Sequence, residues 1–322
     1  MPPLLKLILI RIGLGLLTLF LVSMVVFAAT QALPGDTARA ILGREAVNKV
    51  RYEALREELG LNKPIAQQYV DWLGGILTGN LGKSLVQGQT AVTELLSRRA
   101  ANSAILVLVS ALLSIPLSLL LGSLTALRRD TKLDVSVSIG SLSLAALPEF
   151  VIGIGLILFF GTAVFTWLPA VSRVDPMVPI SDQLELFILP ALTLTLAVAP
   201  YITRILRASM IEVLESEYVT MARLKGLPER LVLYRHALPN AVGPALQVTA
   251  LNLAWLAGGV VVVEYLFGFP GIGQALVDAV TNRDMPVVQA ICLMIATVYV
   301  LANLTADVLT ILVSPRLRTG LR

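Results

Sequence analysis

Of the 322 residues, 56% are hydrophobic and only 14% are charged, too little polar surface to clothe a water-soluble body of this size, so the chain belongs in a bilayer. The net charge is +4, and the basic residues are distributed by membrane side instead of forming one stripe, which excludes a nucleic-acid-binding protein. The single cysteine, Cys292, excludes an intramolecular disulfide and a cysteine-based metal cluster, and its apolar surroundings make it a packing residue.

About 20 consecutive apolar residues cross the hydrocarbon core as a helix, and six such runs are legible. The first is Leu7 to Leu33, opened by Lys6 and Arg11. It is longer than the core of a signal peptide, which predicts a retained anchor. Residues 34–101 form a polar segment, entered through the breaker Leu33-Pro34-Gly35-Asp36 and left through the turn Asn80 to Ser84. Two amphipathic helices are expected inside it, Glu45 to Leu59 and Ile65 to Leu77, with Tyr69 and Trp72 suited to a membrane interface. Gly82-Lys83-Ser84 ends like a phosphate-binding loop, but the position that requires the first glycine is Leu77 and no strand precedes it. Nucleotide binding by this chain is therefore excluded. Energy must come from another polypeptide or from an ion gradient.

The second span is Ser103 to Leu127, kinked or weakened at Pro116. The third is Val135 to Phe160, with Pro148 and Glu149 inside it, and the fourth is Leu184 to Leu206, broken near Pro190 and Pro200. The fifth runs from Ala241 to Val263 and the sixth from Val287 to Val313. Prolines within spans free backbone carbonyls that lipid cannot satisfy, so their neighbours face protein or a cavity. Each is otherwise an inert kink.

Counting lysine and arginine orients the chain. The loops and tails assigned to the inside hold Lys6 and Arg11, then Arg128, Arg129 and Lys132, then six basic residues from Arg204 to Arg235, then Arg316, Arg318 and Arg322. The two short outside loops hold only Arg173 and Arg283. Both termini are then cytoplasmic, and 34–101 lies outside. No internal duplication is visible.

Three acids are placed in or near spans. Glu149 either recognises a ligand amine from a polar cavity or is itself paired or protonated. Asp307 is expected to pair with Arg316 or another terminal base. Glu264 opens the series YLFGFPGIG, Tyr265 to Gly273, whose glycines permit either a tight re-entry at an external gate or a plain surface turn. With Pro148, Glu149 and Glu264 are the candidate pathway residues. The lone His236 has no metal-ligating or catalytic company and is read as stabilising its loop.

The longest polar interruption in the second half runs from Glu217 to Pro244 and contains Arg223, Lys225, Arg230 and Arg235. Ala222 and Gly226 keep one side of a short helix small, while Tyr218, Met221, Leu224 and Leu227 make it apolar. Such a helix lies in a partner's groove, rests on lipid or folds back on the chain's own helices. Here the chain resembles the coupling loop of ABC importer permeases, which has the form E-A-A, three residues, Gly, nine residues, I-x-L-P. Thr220, Met221 and Ala222 occupy the E-A-A positions, Gly226 the glycine, and His236, Ala237, Leu238 and Pro239 the final four. Thr220, Met221 and His236 depart from that form. Ala222 to Leu227 and Arg235 to Ala241, including Asn240, look like the narrower dipeptide, oligopeptide and nickel family. Leu59 to Gly82 resembles the same family.

The resemblance implies an all-α polytopic membrane protein with a type I ABC importer permease fold. Residues 1–33 would form the first span, 34–101 an external segment that receives a delivery protein or merely caps the helix ends, and 102–322 a five-helix core holding the coupling loop 207–241. It also implies a second homologous permease, two cytoplasmic ATPases carrying ATP and Mg, an external solute-binding protein, a peptide-like substrate and a bacterial inner membrane. This chain itself would need no cofactor. Competing readings are an ion-coupled carrier with Glu149 as its proton site, an intramembrane hydrolase, for which no histidine lies within a span, and a non-transporting scaffold.

Overall fold

The computed structural model describes residues 3–32, 38, 42, 47–58, 60–175 and 177–313. Among the described residues the long elements are all helices: α1 (Pro3–Ala32), α2 (Lys49–Glu58), α3 (Ile65–Leu77), α4 (Val92–Leu127), α5 (Lys132–Ala145), α6 (Glu149–Leu156), α7 (Glu185–Leu214), α8 (Glu217–Leu224), α9 (Leu238–Phe267), α10 (Ile272–Thr281) and α11 (Met285–Val313). By length and composition α1, α4, α7 and α11 can each cross a membrane, and two bent pairs, α5 with α6 and the end of α9 with α10, bring the number of spans to as many as six. The helix expected from Glu45 is described as α2, and the breaker at Pro34 lies outside the described residues.

Two expectations about proline are corrected. The third span is not one helix: α5 and α6 meet at 108°. Pro148 stands as the N-cap of α6 (φ −59°, ψ 145°), where no N–H is required, so it removes no hydrogen bond from a helix interior. The fourth span is not broken either. α7 is continuous through Pro190 and Pro200, both buried, and extends to Leu214, so the loop expected from 207 begins two turns later. This helix is the central post, with 72% of its apolar window buried, and contacts from α4 and α9 hold it helical where two backbone bonds are missing.

Small residues set the α4–α7 seam. Ser110, Ser114, Ser118 and Gly122 recur every four residues along α4 and are buried, which lets the backbones approach. Ser118 Oγ donates to the Ala199 carbonyl at 3.1 Å, and Thr195 Oγ1 to the Ser110 carbonyl at 3.4 Å. A Cβ on Gly122 would lie 3.0 Å from both Leu206 Cβ and the Thr203 carbonyl. Leu106, Phe187, Leu194, Val198, Leu256 and Phe267, from α4, α7 and α9, belong to the largest apolar cluster.

α1 lies antiparallel against α11. Gln289 Nε2 donates to Thr30 Oγ1 at 2.7 Å near one end, and Arg11 pairs with Asp307 at 3.0 Å near the other. Asp307 thus takes a base from the N-terminal helix; Arg316 lies outside the described residues. Because α9 ends where α11 begins, the start of α1, the end of α11 and the stretch that contains α8 share one side of the span layer.

On the opposite side, Tyr69 and Trp72 of α3 pack on Phe27 of α1, each with ring centroids 5.4 Å away, and Tyr69 Oη shares a 2.7 Å hydrogen bond with Ser23 Oγ. The Gly82-Lys83-Ser84 sequence turns into a short hairpin, with Ser84 N–H donating to the Thr90 carbonyl and Val92 N–H to that of Gly82. Buried Asp284 fixes it by accepting from the Ser84 hydroxyl and from Leu85 N–H.

Candidate functional site

α8 is amphipathic across a very short length. Val219 and Ala222 are buried against Val232, with Val213, Leu214 and Leu227 around them. Glu217 lies in the first turn, where a carboxylate is favoured by the helix dipole. The end is a six-residue cap: Leu227 N–H donates to the Ala222 carbonyl at 3.4 Å, Gly226 N–H to that of Arg223 at 2.9 Å, and Gly226 takes φ +75°. Leu227 packs back on the helix and Pro228 prevents its continuation. The run Ala222 to Pro228 is therefore a helix stop that requires a glycine at one position.

Arg223 ties this stop to the next turn of the chain. Its Nη2 and Nε donate to Glu229 Oε1 and Oε2 at 2.6 and 3.2 Å. The guanidinium holds the Glu229 carboxyl below its ordinary pKa, and Arg223 is raised in return by the same hydrogen bonds. Val232 to Ala237 then form a π-helical turn leading into α9, a departure that accumulates at functional sites. Arg235 is exposed within it, and Pro239 and Asn240 are exposed at the start of α9. His236 works through its backbone, whose carbonyl accepts from Asn240 Nδ2 at 2.7 Å. What remains uncovered on α8 is a stripe of Tyr218, Met221 and Leu224, with Leu224 76% exposed and Lys225 beside it.

The three candidate pathway residues are placed differently. Pro148 and Glu149 open α6, with Glu149 half-buried. Glu264 is fully buried and occupied: Oε1 accepts from Ser103 Oγ at 2.5 Å, and Oε2 from Gly273 N–H at 2.6 Å, at the start of α10. Ser103 Oγ in turn accepts from Ile272 N–H at 2.9 Å. A Cβ on Gly271 would lie 2.2 Å from the Glu264 carboxyl, and one on Gly273 2.3 Å from Val261 Cα. The YLFGFPGIG series is thus a tight turn folded around a buried carboxyl, not a plain surface turn. Sequence reasoning missed the Asp134–Arg207 pair, bidentate at 2.6 and 2.7 Å, and the Asp284 anchor. Each joins residues far apart in the chain, 73 positions for the pair and 200 for Ser84 with Asp284.

Residues 118–319 match the family described as the binding-protein-dependent transport system inner membrane component, and residues 4–99 match its N-terminal companion. The chain belongs to this family. Its members are membrane permease subunits of ABC importers, whose ATP hydrolysis resides in partner subunits, so the family implies an ATPase and a solute-binding protein as companions. Similar proteins include a probable peptide ABC transporter permease of Sinorhizobium fredii, 37% identical over 92% of this chain and 94% of its own length. An oligopeptide transport system permease of Bacillus subtilis is 35% identical over 90% and 92%. A glutathione transport system permease of Escherichia coli strain K12 is 36% identical over 95% and 96%. Among the described residues no three metal-ligating side chains come together.

Proposed function

We infer that the chain is the transport subunit of an importer for di- or oligopeptides, working with a second homologous permease, two cytoplasmic ATPases that bind ATP and Mg, and an external solute-binding protein. The observation that carries this is the uncovered apolar stripe Tyr218, Met221 and Leu224 on a helix whose other face is locked to the body by Val219 and Ala222. A helix so fixed transmits force between a groove on an ATPase and the base of α7 and α9. Glu217, Arg223, Gly226, Leu227, Arg235, His236, Pro239 and Asn240 shape this lever, and Tyr218, Ala222 and Lys225 belong to its two faces. The side holding α8, the start of α1 and the end of α11 is the cytoplasmic one, and 34–101 lies outside, available to the binding protein. The nucleotide cycle biases one two-state rocking of the spans, and cargo biases the same element. Glu149, at the break between α5 and α6, remains the candidate pathway acid, while Glu264 holds the outer turn.

The relatives named for peptides, oligopeptides and glutathione support the cargo class. Met221→Glu places a charge in the stripe without touching Val219 or Ala222. We expect the ATPase to be lost on purification and ATP-driven peptide uptake to fall at least tenfold. Retained co-purification with coupled uptake would remove the lever, and uptake that persists without ATP but collapses with the proton gradient would select the ion-coupled carrier instead.

A further inference from the structure

Between α5, α7 and α9, in the half of the span layer nearer α8, lies a groove of about 640 Å³ lined in part by Ser138, Tyr201, Arg204, Arg207 and Asn252. Its two arginines are not equivalent. Arg207 is spent on Asp134, whose carboxyl it holds at both oxygens. Arg204 lies one helical turn deeper on α7, is exposed to the groove, and bonds no acid among the described residues. Arg204 stands toward the α8 end of α7, away from the apolar middle of the helix, so its guanidinium, without an acid partner among the described residues, is open to an anionic visitor. The neighbouring polar groups supply the complement. Asn252 Nδ2 is occupied by the Val248 carbonyl at 2.8 Å, which leaves its Oδ1 as an acceptor. The Tyr201 hydroxyl donates to the Ala145 carbonyl at 3.0 Å, so its oxygen can still accept. One guanidinium and two acceptors lining the same groove match a carboxylate joined to an N–H group.

We propose that this groove is a transit site for the carboxyl end of the cargo, with Arg204 taking the terminal carboxylate and Asn252 Oδ1 the adjacent amide N–H. The inference rests on the peptide reading above. A lipid headgroup phosphate would satisfy the same guanidinium, so the test separates the two. The chain is reconstituted with its cognate permease, ATPases and binding protein in liposomes of phosphatidylcholine alone and of phosphatidylcholine with phosphatidylglycerol. A mixed tripeptide library and the same library amidated at its C-terminus are then offered, and lumenal peptides are counted by mass spectrometry.

Arg204→Gln should lower the ratio of free-acid to amidated uptake at least fivefold in both lipids, with ATP hydrolysis stimulated by the binding protein held within twofold. Arg204→Lys, which keeps the charge, should restore at least half of the ratio; a lysine variant that behaves as the glutamine one overturns the proposal. An unchanged ratio in Arg204→Gln overturns the transit site alone and leaves the peptide reading standing. A loss equal for both libraries and confined to anionic liposomes assigns Arg204 to a headgroup and overturns it as well. Uptake of neither library by the unaltered complex removes the peptide reading and this inference with it.

Discussion

Gly226 shows how a single residue can be indispensable without being crowded. A Cβ there meets nothing within 4 Å, yet φ is +75°, and an L-residue in the left-handed region is penalised by roughly 1–2 kcal/mol. Gly226→Ala and Gly226→Leu should therefore damage ATP-coupled uptake to the same degree, and Gly226→Asn, which tolerates the left-handed region, should do less harm. A steady decline in uptake with side-chain volume would point instead to a contact surface, and would contradict this account. The motif spacing marks this glycine in the sequence, but as a small residue on one side of the helix; the structure corrects that, because Gly226 stands beyond the end of α8 in the left-handed region with open space around it. The setting of Glu264 is not legible at all. Its burial depends on Gly271 and Gly273 returning to it from α10 and on Ser103 arriving from α4, 161 positions earlier, and no local pattern announces that meeting.

Among the elements, α4 departs furthest from its reading. It begins at Val92, eleven residues before Ser103, and at about 1.5 Å per residue its 36 residues extend about 54 Å, well beyond a hydrocarbon core of about 30 Å. Its first turns carry Glu94, Arg98 and Arg99, whose polarity hides the helix from an apolar count. Its spacing was available: serine or glycine at 110, 114, 118 and 122 marks the face that meets α7, obscured only by the leucines between. The seam makes a specific prediction. Gly122→Leu drives atoms into Leu206 and the Thr203 backbone, and overpacking of this kind costs roughly 1–3 kcal/mol or more, so thermal unfolding in detergent should begin at clearly lower temperature. Ser118→Ala keeps the close approach and loses one interhelical hydrogen bond, about 0.6 kcal/mol, and should be nearly silent. Equal effects would mean that close approach is not what holds α4 to α7.

For the molecule as a whole the decisive matter is sidedness. Arg11 on Asp307 and Thr30 on Gln289 fix α1 and α11 antiparallel, and the course of α9 then puts α8 on the side of the start of α1 and the end of α11. The hairpin at Gly82 to Val92, anchored by Asp284, lies across the layer from them. The proposal that the α8 side is cytoplasmic rests on the basic residues, a rule of composition, whereas the grouping of the helix ends comes from contacts. The two can be tested separately in intact cells after Cys292 is replaced by serine. Lys225→Cys, exposed beside the α8 stripe, should resist a membrane-impermeant maleimide until the cells are opened, and Asn80→Cys, exposed before the hairpin, should label at once. Reversed labelling at both positions would keep the antiparallel geometry but remove the lever from any ATP-hydrolysing neighbour. Labelling of both from outside would break the geometry itself, because no course of α9 that joins α8 to the turn at Glu264 returns both to one face.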